Sequence, residues 1–484
     1  MRGSTARRAR GRRGLNMGTI SSALNVITSA LNADQGALDV VSNNVANASN
    51  TGYTRQVANW QENSPIYVNG VGYGTGVTMT GGVSQRDRVL NQRLYQQQQA
   101  SASASAMESA LTTLETNFTV ASSSTATGNI GTDITNFFSS LSQLETSPTS
   151  NALRQQVLSS ATTLAGDVSG AASSLNAQQS SLDQSITSAV SQVNTLAASL
   201  AQVSQQIQST SPTQDAGVLE DQRQNDLSQL SQLIGINLVT TENNGLSVTT
   251  AGGQLLATNG QSFALSTSMV GGVSHIFLNG TDITSQLASG GGQIGGQLTV
   301  RDQTIPSTLA SLDQLAYSIS TQVNTVNNAG TDMAGDNGGA GNIFSQPTAV
   351  SGSAAAMSVV MTDPNHIAAA GLGNGTGDNS NIVTMANLAN QGIVSGATPS
   401  NAYSNLVSAV GNAVSSATTE SAALSASVTQ LQNQVSALSS VNLNEEASMM
   451  QQYERSYQAA SQAFTILNTV MASALNIGVE TAVA

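Results

Sequence analysis

The chain contains no cysteine, and all fourteen of its basic residues are arginine, so lysine is missing as well. The first absence excludes thiolate nucleophiles, disulfides and Cys-ligated zinc. The second excludes a Walker phosphate loop and Schiff-base chemistry. Only two histidines are present, His275 and His366, and they lie far apart, so no HExxH zinc helix exists; no GxSxG elbow is found either. Charged residues make up 8% of the chain and aromatics 3%, against about 25% charged in ordinary globular proteins. No apolar run is long enough to span a membrane or to serve as the core of a secretory signal. These absences remove most enzyme chemistries and any helical membrane span, and no cofactor or metal is expected.

The net charge of −13 opposes binding to a phosphate backbone or an anionic membrane surface. It is unevenly placed. Arg2, Arg7, Arg8, Arg10, Arg12 and Arg13 hold six of the fourteen arginines, which leaves eight against 27 acidic residues thereafter, a balance of −19. Residues 1–16 are expected to be a disordered, Arg-rich extension ahead of a natural start at Met17. A length of 484 residues suggests about three domains at the usual size.

What is abundant is small, polar and helix-forming. Ile20, Leu24, Ile27, Leu31, Leu38, Val41 and Val45 form a heptad seam with one vacancy, occupied by Asp34. The spacing predicts a helix from Met17 to about Ala48, ended by Ser49, Asn50 and Gly52. Between Val57 and Val83 the period shortens toward two around an Asn69-Gly70 turn signal, which predicts a β excursion. Helical spacing returns through Val89, Leu111 and Phe118, and again over residues 133–234, with Pro148 and Pro212 as breaks. Residues 236–300, with Asn-Gly pairs at 244, 259 and 279, predict a small outer β domain of hairpins. A helix follows through Leu312 and Val326; residues 329–384 predict loop or weak β structure, to be grouped with that β domain if with anything.

Heptads resume near the C-terminus. Met450, Tyr453, Tyr457, Phe464, Leu467 and Met471 share a stripe, and the phase break at Val441–Glu446 predicts a joint between two helices. The expected fold is therefore mainly α with inserted β. The N- and C-terminal helices (17–52 with 440–484) pair as a coiled coil. A helical domain with a β hairpin (53–235, 301–328 and 385–439) is nested between them, and the small β domain lies in the middle. Each terminal helix exposes an apolar stripe that needs a partner. Because polar uncharged residues flank the seam, an assembly built on it is expected to be insensitive to salt.

Several local features have plain readings. Asp332, Asp336 and Asn337 suggest a calcium turn, but residues 338–342 lack the acidic ligands one needs and no bidentate Glu follows. His275 on a strand and His366 after Pro364 read as satisfied or surface residues. Tyr453 and Tyr457 read as packing residues.

The string SNNVANASNTGYTRQ, residues 42–56, ends the first helix with amide side chains and then turns at Gly52. It resembles the N-terminal signature of the axial proteins of the bacterial flagellum, the rod, hook and hook-associated proteins, with Asn43, Asn44, Ala46, Asn47, Thr51, Gly52 and Tyr53 at the matching places. YTRQ at 53–56, RDRVLNQRL at 86–94, LEDQRQNDLSQLSQLIGINLV at 219–239 and VNLNEE at 441–446 are similar to blocks of the hook-associated members. Asn444 departs from the usual Asp. The resemblance implies a structural, non-enzymatic component at the junction of hook and filament, exported without a cleaved signal. Its implied partners are the flagellar hook protein, hook-associated protein 3, like subunits in a ring, an export chaperone and the type III export apparatus. Leu24, Ile27, Leu31, Leu38, Val41, Val45, Asn43, Asn44, Asn47, Gly52 and Tyr53 are the expected assembly interface. Glu445, Met450, Tyr453, Tyr457, Phe464, Leu467 and Met471 are the expected C-terminal interface and chaperone face. A hook or distal-rod protein, and a secreted coiled-coil effector or adhesin, are the alternatives.

Overall fold

The computed structural model describes residues 17–68, 70–118, 129–211, 214–337 and 341–480. The Arg-rich extension, Asn69, Pro212 and most of the glycine-rich run at 338–342 lie outside the described residues. Helix α1 (Met17–Ala46) is followed by strands β1 (Gln56–Glu62), β2 (Ile66–Val68), β3 (Val71–Tyr73) and β4 (Val77–Ser84). Helices α2 (Arg88–Glu115), α3 (Ile130–Thr146), α4 (Asn151–Thr210) and α5 (Val218–Leu233) come next. Strands β5 (Ile236–Thr240), β6 (Leu246–Thr250), β7 (Leu255–Thr258), β8 (Gln261–Ser262), β9 (Leu265–Val270), β10 (Val273–Leu278) and β11 (Thr281–Asp282) form the central β region. Helices α6 (Thr284–Gly290) and α7 (Gly292–Thr299) run through a π-helical turn (Val300–Thr304) into α8 (Ile305–Asn328). The chain closes with α9 (Ser380–Asn387), α10 (Pro399–Ser439) and α11 (Leu443–Glu480). None of the described helices is long and apolar enough to cross a membrane.

Contacts divide the described residues into two compact units, one within 17–91, 205–225 and 431–480, the other within 92–204 and 226–430. In the first unit α1 packs along α11, and β1 pairs antiparallel with β4 beside α1. The approach of helix to strand is close. A Cβ on Gly36 would stand 2.2 Å from the Met79 sulfur, so a side chain there would force the two apart. The β excursion thus groups with the terminal helices, where the expected partition put it in the helical domain. Helix α1 ends at Ala46, two residues before the expected Ala48, and the phase break became the Ser440–Asn442 joint between α10 and α11. There Asn442 caps the new helix through Asn444 N at 3.1 Å.

The second unit holds two apolar cores. One joins Leu114 of α2, Phe137 and Leu141 of α3, Leu164 of α4 and Ile319 of α8. The other joins Val193 and Leu200 of α4 to Leu230 of α5, Val248, Leu256 and Ile276 of the sheets and Ile294 of α7. The hairpin signals are realised: Asn243 and Asn244 take φ of 57° and 58° between β5 and β6, and Asn279 takes 51° between β10 and β11, the left-handed values a tight hairpin requires. Two expectations fail. The β region stops at Asp282, because residues 284–304 are helical. Gly291 and Gly292 turn the chain between α6 and α7 at φ +90° and +75°, and Gly296 serves contact: a Cβ there would lie 2.2 Å from the Ser103 carbonyl of α2. The described part of 329–384 is loop with isolated bridges such as Phe344 with Val359, as expected, up to the start of α9 at Ser380; what fails is its grouping with the β domain. Its Ile343, Phe344, Met357 and Ile367 are buried in the α3–α8 core. Apolar anchors too sparse to show a period were enough to embed an irregular chain.

Arginines, scarce as they are, pin the second unit. The π turn carries Arg301 inward, where it is wholly buried; it donates to Asp183 Oδ1 and the Ser274 carbonyl, both at 2.6 Å, and to both oxygens of Asp302. Arg154, 1% exposed, donates to the carbonyls of Pro148, Pro364, Asn365 and Ile367. Burial pulls its guanidinium below the usual value, partly offset by Asp332.

Candidate functional site: the joint of the terminal segments

The first unit gathers four stretches far apart in sequence: the end of α1 with its following loop, the start of α2, the 214–225 segment and the α10–α11 joint. Asn44 is the hub. Only 1% exposed, it donates from Nδ2 to the Gln56 carbonyl (2.8 Å) and to Glu446 Oε2 (2.9 Å). Its Oδ1 accepts from the Tyr53 hydroxyl (2.8 Å) and from Gln56 N (3.0 Å). An amide can make about four hydrogen bonds, and this one makes them all. The Glu446 side chain is fully buried, and its other oxygen accepts from Arg55 Nε at 2.7 Å. The Arg55 guanidinium also reaches Glu445 at 2.9 Å, and the Arg55 backbone N–H donates to the Ser439 carbonyl at the end of α10 (2.8 Å). Burial alone would lower the Arg55 guanidinium, but the hydrogen bonds and charges of Glu446 and Glu445 hold it above its ordinary value.

A second cluster adjoins it. Asp221 accepts from Thr54 N at 3.2 Å and from Arg86 at 2.8 Å. Glu220, 4% exposed, lies within 3.5–3.9 Å of Arg86, Arg88 and Arg223. Asp215 accepts from the Ser84 backbone (2.6 Å) and hydroxyl (3.1 Å) and from Gly217 N (2.7 Å). Burial raises Asp221, opposed by Thr54 and Arg86, and burial with Asp221 and Glu446 raises the Tyr53 phenol. Arg55, Arg86, Arg88 and Arg223 are four of the eight arginines after Met17, so the little charge this chain has is concentrated here.

The expected interface residues separate into classes. Leu24, Ile27, Leu31 and Leu38 are half-buried, Val41 is buried and Val45 is 39% exposed. The covered line on α1 is instead Ala33, Ala37, Val41 and Asn44. Asn43 is exposed; its carbonyl and Oδ1 accept from the Asn47 side chain, closing the helix end on itself. Gly52 turns the chain at φ +94°. On α11, Met450, Tyr453, Phe464, Leu467 and Met471 are half-buried, while Glu445 and Tyr457 are exposed. Tyr453 meets Trp60 of β1 edge-on at 5.6 Å, and its phenol is raised by burial and then by Glu446 and Asp34. From Ala447 to Leu475 no side chain is buried, and Ile466, Val470 and Leu475 stand 63%, 48% and 57% exposed. Arg55, Arg86, Glu446, Glu220 and Asp221 were absent from the expected interface. The available signal was their charge: in a chain 8% charged, arginines and acids inside the quoted motif blocks have to be partnered.

Outside this unit, one group of His and carboxylates among the described residues brings its ligand atoms within 4.8 Å of one another: Asp332, Asp336 and His366. Asp332 accepts from Ala334 N and Asp336 N, both 2.9 Å, and from His366 Nδ1 at 2.7 Å, so it ties two loops together. The hydrogen bond raises His366, and His366 with the backbone donors outweighs burial to lower Asp332. His275 pairs likewise with Asp282 at 2.7 Å, and Asp282 is brought down to about 2, chiefly by Thr284.

Comparison with known proteins follows these two units. A family described as the flagellar hook-associated protein FlgK helical domain matches residues 111–344, and one described as flagella basal body rod protein matches 24–54. Flagellar hook-associated protein 1 of Escherichia coli K12 is 28% identical over 331 residues, which is 66% of this chain and 59% of that relative. The namesake of Bacillus subtilis is 24% identical over 92% of this chain and 96% of its own length. The structure of the flagellar hook junction protein FlgK from Burkholderia pseudomallei aligns with a TM-score of 0.63 and 20% identity, covering 71% of this chain and 99% of that one.

Proposed function

We propose that this chain, which belongs to the flagellar hook-associated protein 1 family, is a non-enzymatic structural subunit that joins the hook of the flagellum to the filament. The carrying observation is the open stripe of α11: a helix of 38 residues with no buried side chain from Ala447 to Leu475, paired with α1 and anchored at one end by Asn44, Arg55 and Glu446. Apolar surface left uncovered in a single chain is the substrate for association. Like subunits in a ring, the hook protein and hook-associated protein 3 are the partners that cover it. Gly52, Tyr53, Asn44 and Glu445 set the angle at which the pair of terminal helices leaves the joint, and Leu24, Ile27, Leu31, Leu38, Val41 and Val45 line the α1 side. Before assembly, an export chaperone holds the face made by Met450, Tyr453, Phe464, Leu467 and Met471, and releases it to the type III export apparatus. Since that face is the one α1 half-covers, chaperone and α1 compete for it.

The test is electron microscopy of flagella in a strain lacking this protein, complemented with the full chain or with one lacking residues 447–484. Bare hooks with filament protein shed into the medium are expected without the chain and with the truncation, and intact filaments with the full chain. Normal filaments on the truncated protein overturn the assignment.

A further inference from the structure

Strand β4 lies along α1 in the first unit through three close approaches. A Cβ on Gly76 would stand 3.3 Å from the Val26 Cα, and one on Gly82 would stand 3.4 Å from the Val40 side chain. Between them the Met79 thioether fills the place that a side chain on Gly36 would take, its sulfur 2.2 Å from the position of that Cβ. Met79 also stands opposite Trp60 in the β1–β4 ladder, and residues directly opposite in an antiparallel pair project from the same face. Trp60 in turn meets Tyr453 of α11 edge-on at 5.6 Å. The β1–β4 ribbon therefore touches both terminal helices, α11 through Trp60 and α1 through a sulfur seated on a glycine. A thioether is the one apolar side chain whose polarity and shape a single added atom changes.

We propose that Met79 is a modification site for hydrogen peroxide, and that its sulfoxide unseats β4 from α1. In the step a sulfur lone pair attacks one peroxide oxygen and the O–O bond breaks. The departing hydroxide takes the proton left on the transferred oxygen and leaves as water. Sulfur is oxidised by two electrons and the peroxide is reduced by two. Met79 is half-buried, so the oxidant reaches it, whereas Met357 and Met385 are 3% and 0% exposed. The new oxygen is a strong acceptor that needs a donor or water. Toward Gly36 it has no space, because the sulfur already occupies the notch, and the Gly36 N–H lies within the hydrogen-bond ladder of α1. Turning the sulfur outward to solvate the oxygen withdraws it from the notch. This role does not depend on what the terminal helices join.

The experiment treats the full chain with hydrogen peroxide, follows each methionine by peptide mass, and measures amide hydrogen exchange over β4 and α1 in wild type and Met79→Leu. Met269, 64% exposed, marks the dose at which an open thioether is fully converted. At that dose Met79 should carry one added oxygen in most chains. Protection over β4 and the facing turns of α1 should then fall about tenfold or more in the oxidised fraction. It should recover after reduction by methionine sulfoxide reductases A and B, which between them take both sulfoxide epimers. Met79→Leu, close to methionine in volume, should hold its protection within about threefold at the same dose. A Met79 that stays reduced when Met269 is fully oxidised overturns the proposal, as does a Met79 sulfoxide with unchanged exchange. A loss of protection as large in Met79→Leu overturns it too. Should that variant not fold, the oxidised and re-reduced wild type decides alone.

Discussion

The two compact units solve the same problem, a low-charge chain rich in Ser, Ala, Thr and Gln, in opposite ways. The second closes its apolar stripes internally: Phe137, Leu164 and Ile319 are all at 0% exposure, and irregular chain from 343 to 367 is drawn in to complete the core. The first leaves its stripes half-covered: beside small residues such as Ala37, its most deeply buried side chains include the polar hub, with Asn44 at 1% and Glu446 at 0%. Apolar closure makes a unit that is finished in one chain. Polar closure at a joint fixes direction while leaving a face for a neighbour.

The strongest way to break this contrast is to remove a hub from each unit. Glu446→Ala strips Arg55 of its buried partner and Asn44 of an acceptor; losing one member of a buried pair costs about 3–5 kcal/mol. Phe137→Ala, through cavity and transfer terms, costs about the same. The expected readouts differ: hydrogen exchange rises over α1 and α11 in the first variant and over α3 and α4 in the second. Exchange that rose across the whole chain in both would mean that the units are not separate in stability.

Much of this contrast was legible in the chain. The two terminal helices, the joint at 440–442 and the Asn-Gly hairpins follow from periods and turn chemistry that act locally, although the line α1 buries is Ala33, Ala37, Val41 and Asn44 and not the apolar seam from Leu24 to Val45. What periodicity does not carry is pairing at a distance. Arg55 and Glu446 are 391 residues apart, and nothing in their spacing couples them. Residues 284–300 read as part of the β region because a sequence does not distinguish a glycine needed for φ, such as Gly291, from one needed for close approach, such as Gly296. Ile343, Phe344 and Ile367 lacked any period and were buried nonetheless, because the core of α3 and α8 offered them a surface.

A smaller effect sharpens the comparison from the other side. Ile466→Ser with Val470→Ser alters side chains that are 63% and 48% exposed, so the free chain should change in stability by less than about 0.5 kcal/mol in urea denaturation. Hook-tip incorporation, scored by electron microscopy, should nevertheless be lost. The equivalent exposed pair in the second unit, Met269→Ser with Val270→Ser, at 64% and 45% exposure, should leave both measurements unchanged. If the two pairs behave alike, the open face of α11 is ordinary surface and not a seam.

The smallest expected effect concerns salt. The first unit concentrates the chain's charge, which by itself argues for screening, yet its pairs are sheltered: the side chains of Arg55 and Glu446 are 13% and 0% exposed, those of Arg86 and Glu220 7% and 4%. Ions screen exposed pairs over about 10 Å at 0.1 M but reach buried ones poorly. The stripe on α11 carries only Glu454 and Arg455 between Ala447 and Glu480, so the open face offers little charge for salt to act on. Raising sodium chloride from about 0.05 M to about 0.5 M should therefore move the unfolding midpoint of the first unit by less than about 0.5 kcal/mol and leave isolated hook–filament junctions intact. Dissociation in high salt would show that exposed pairs such as Arg55–Glu445 and Arg88–Glu220, not the buried hub and the apolar stripe, hold the assembly.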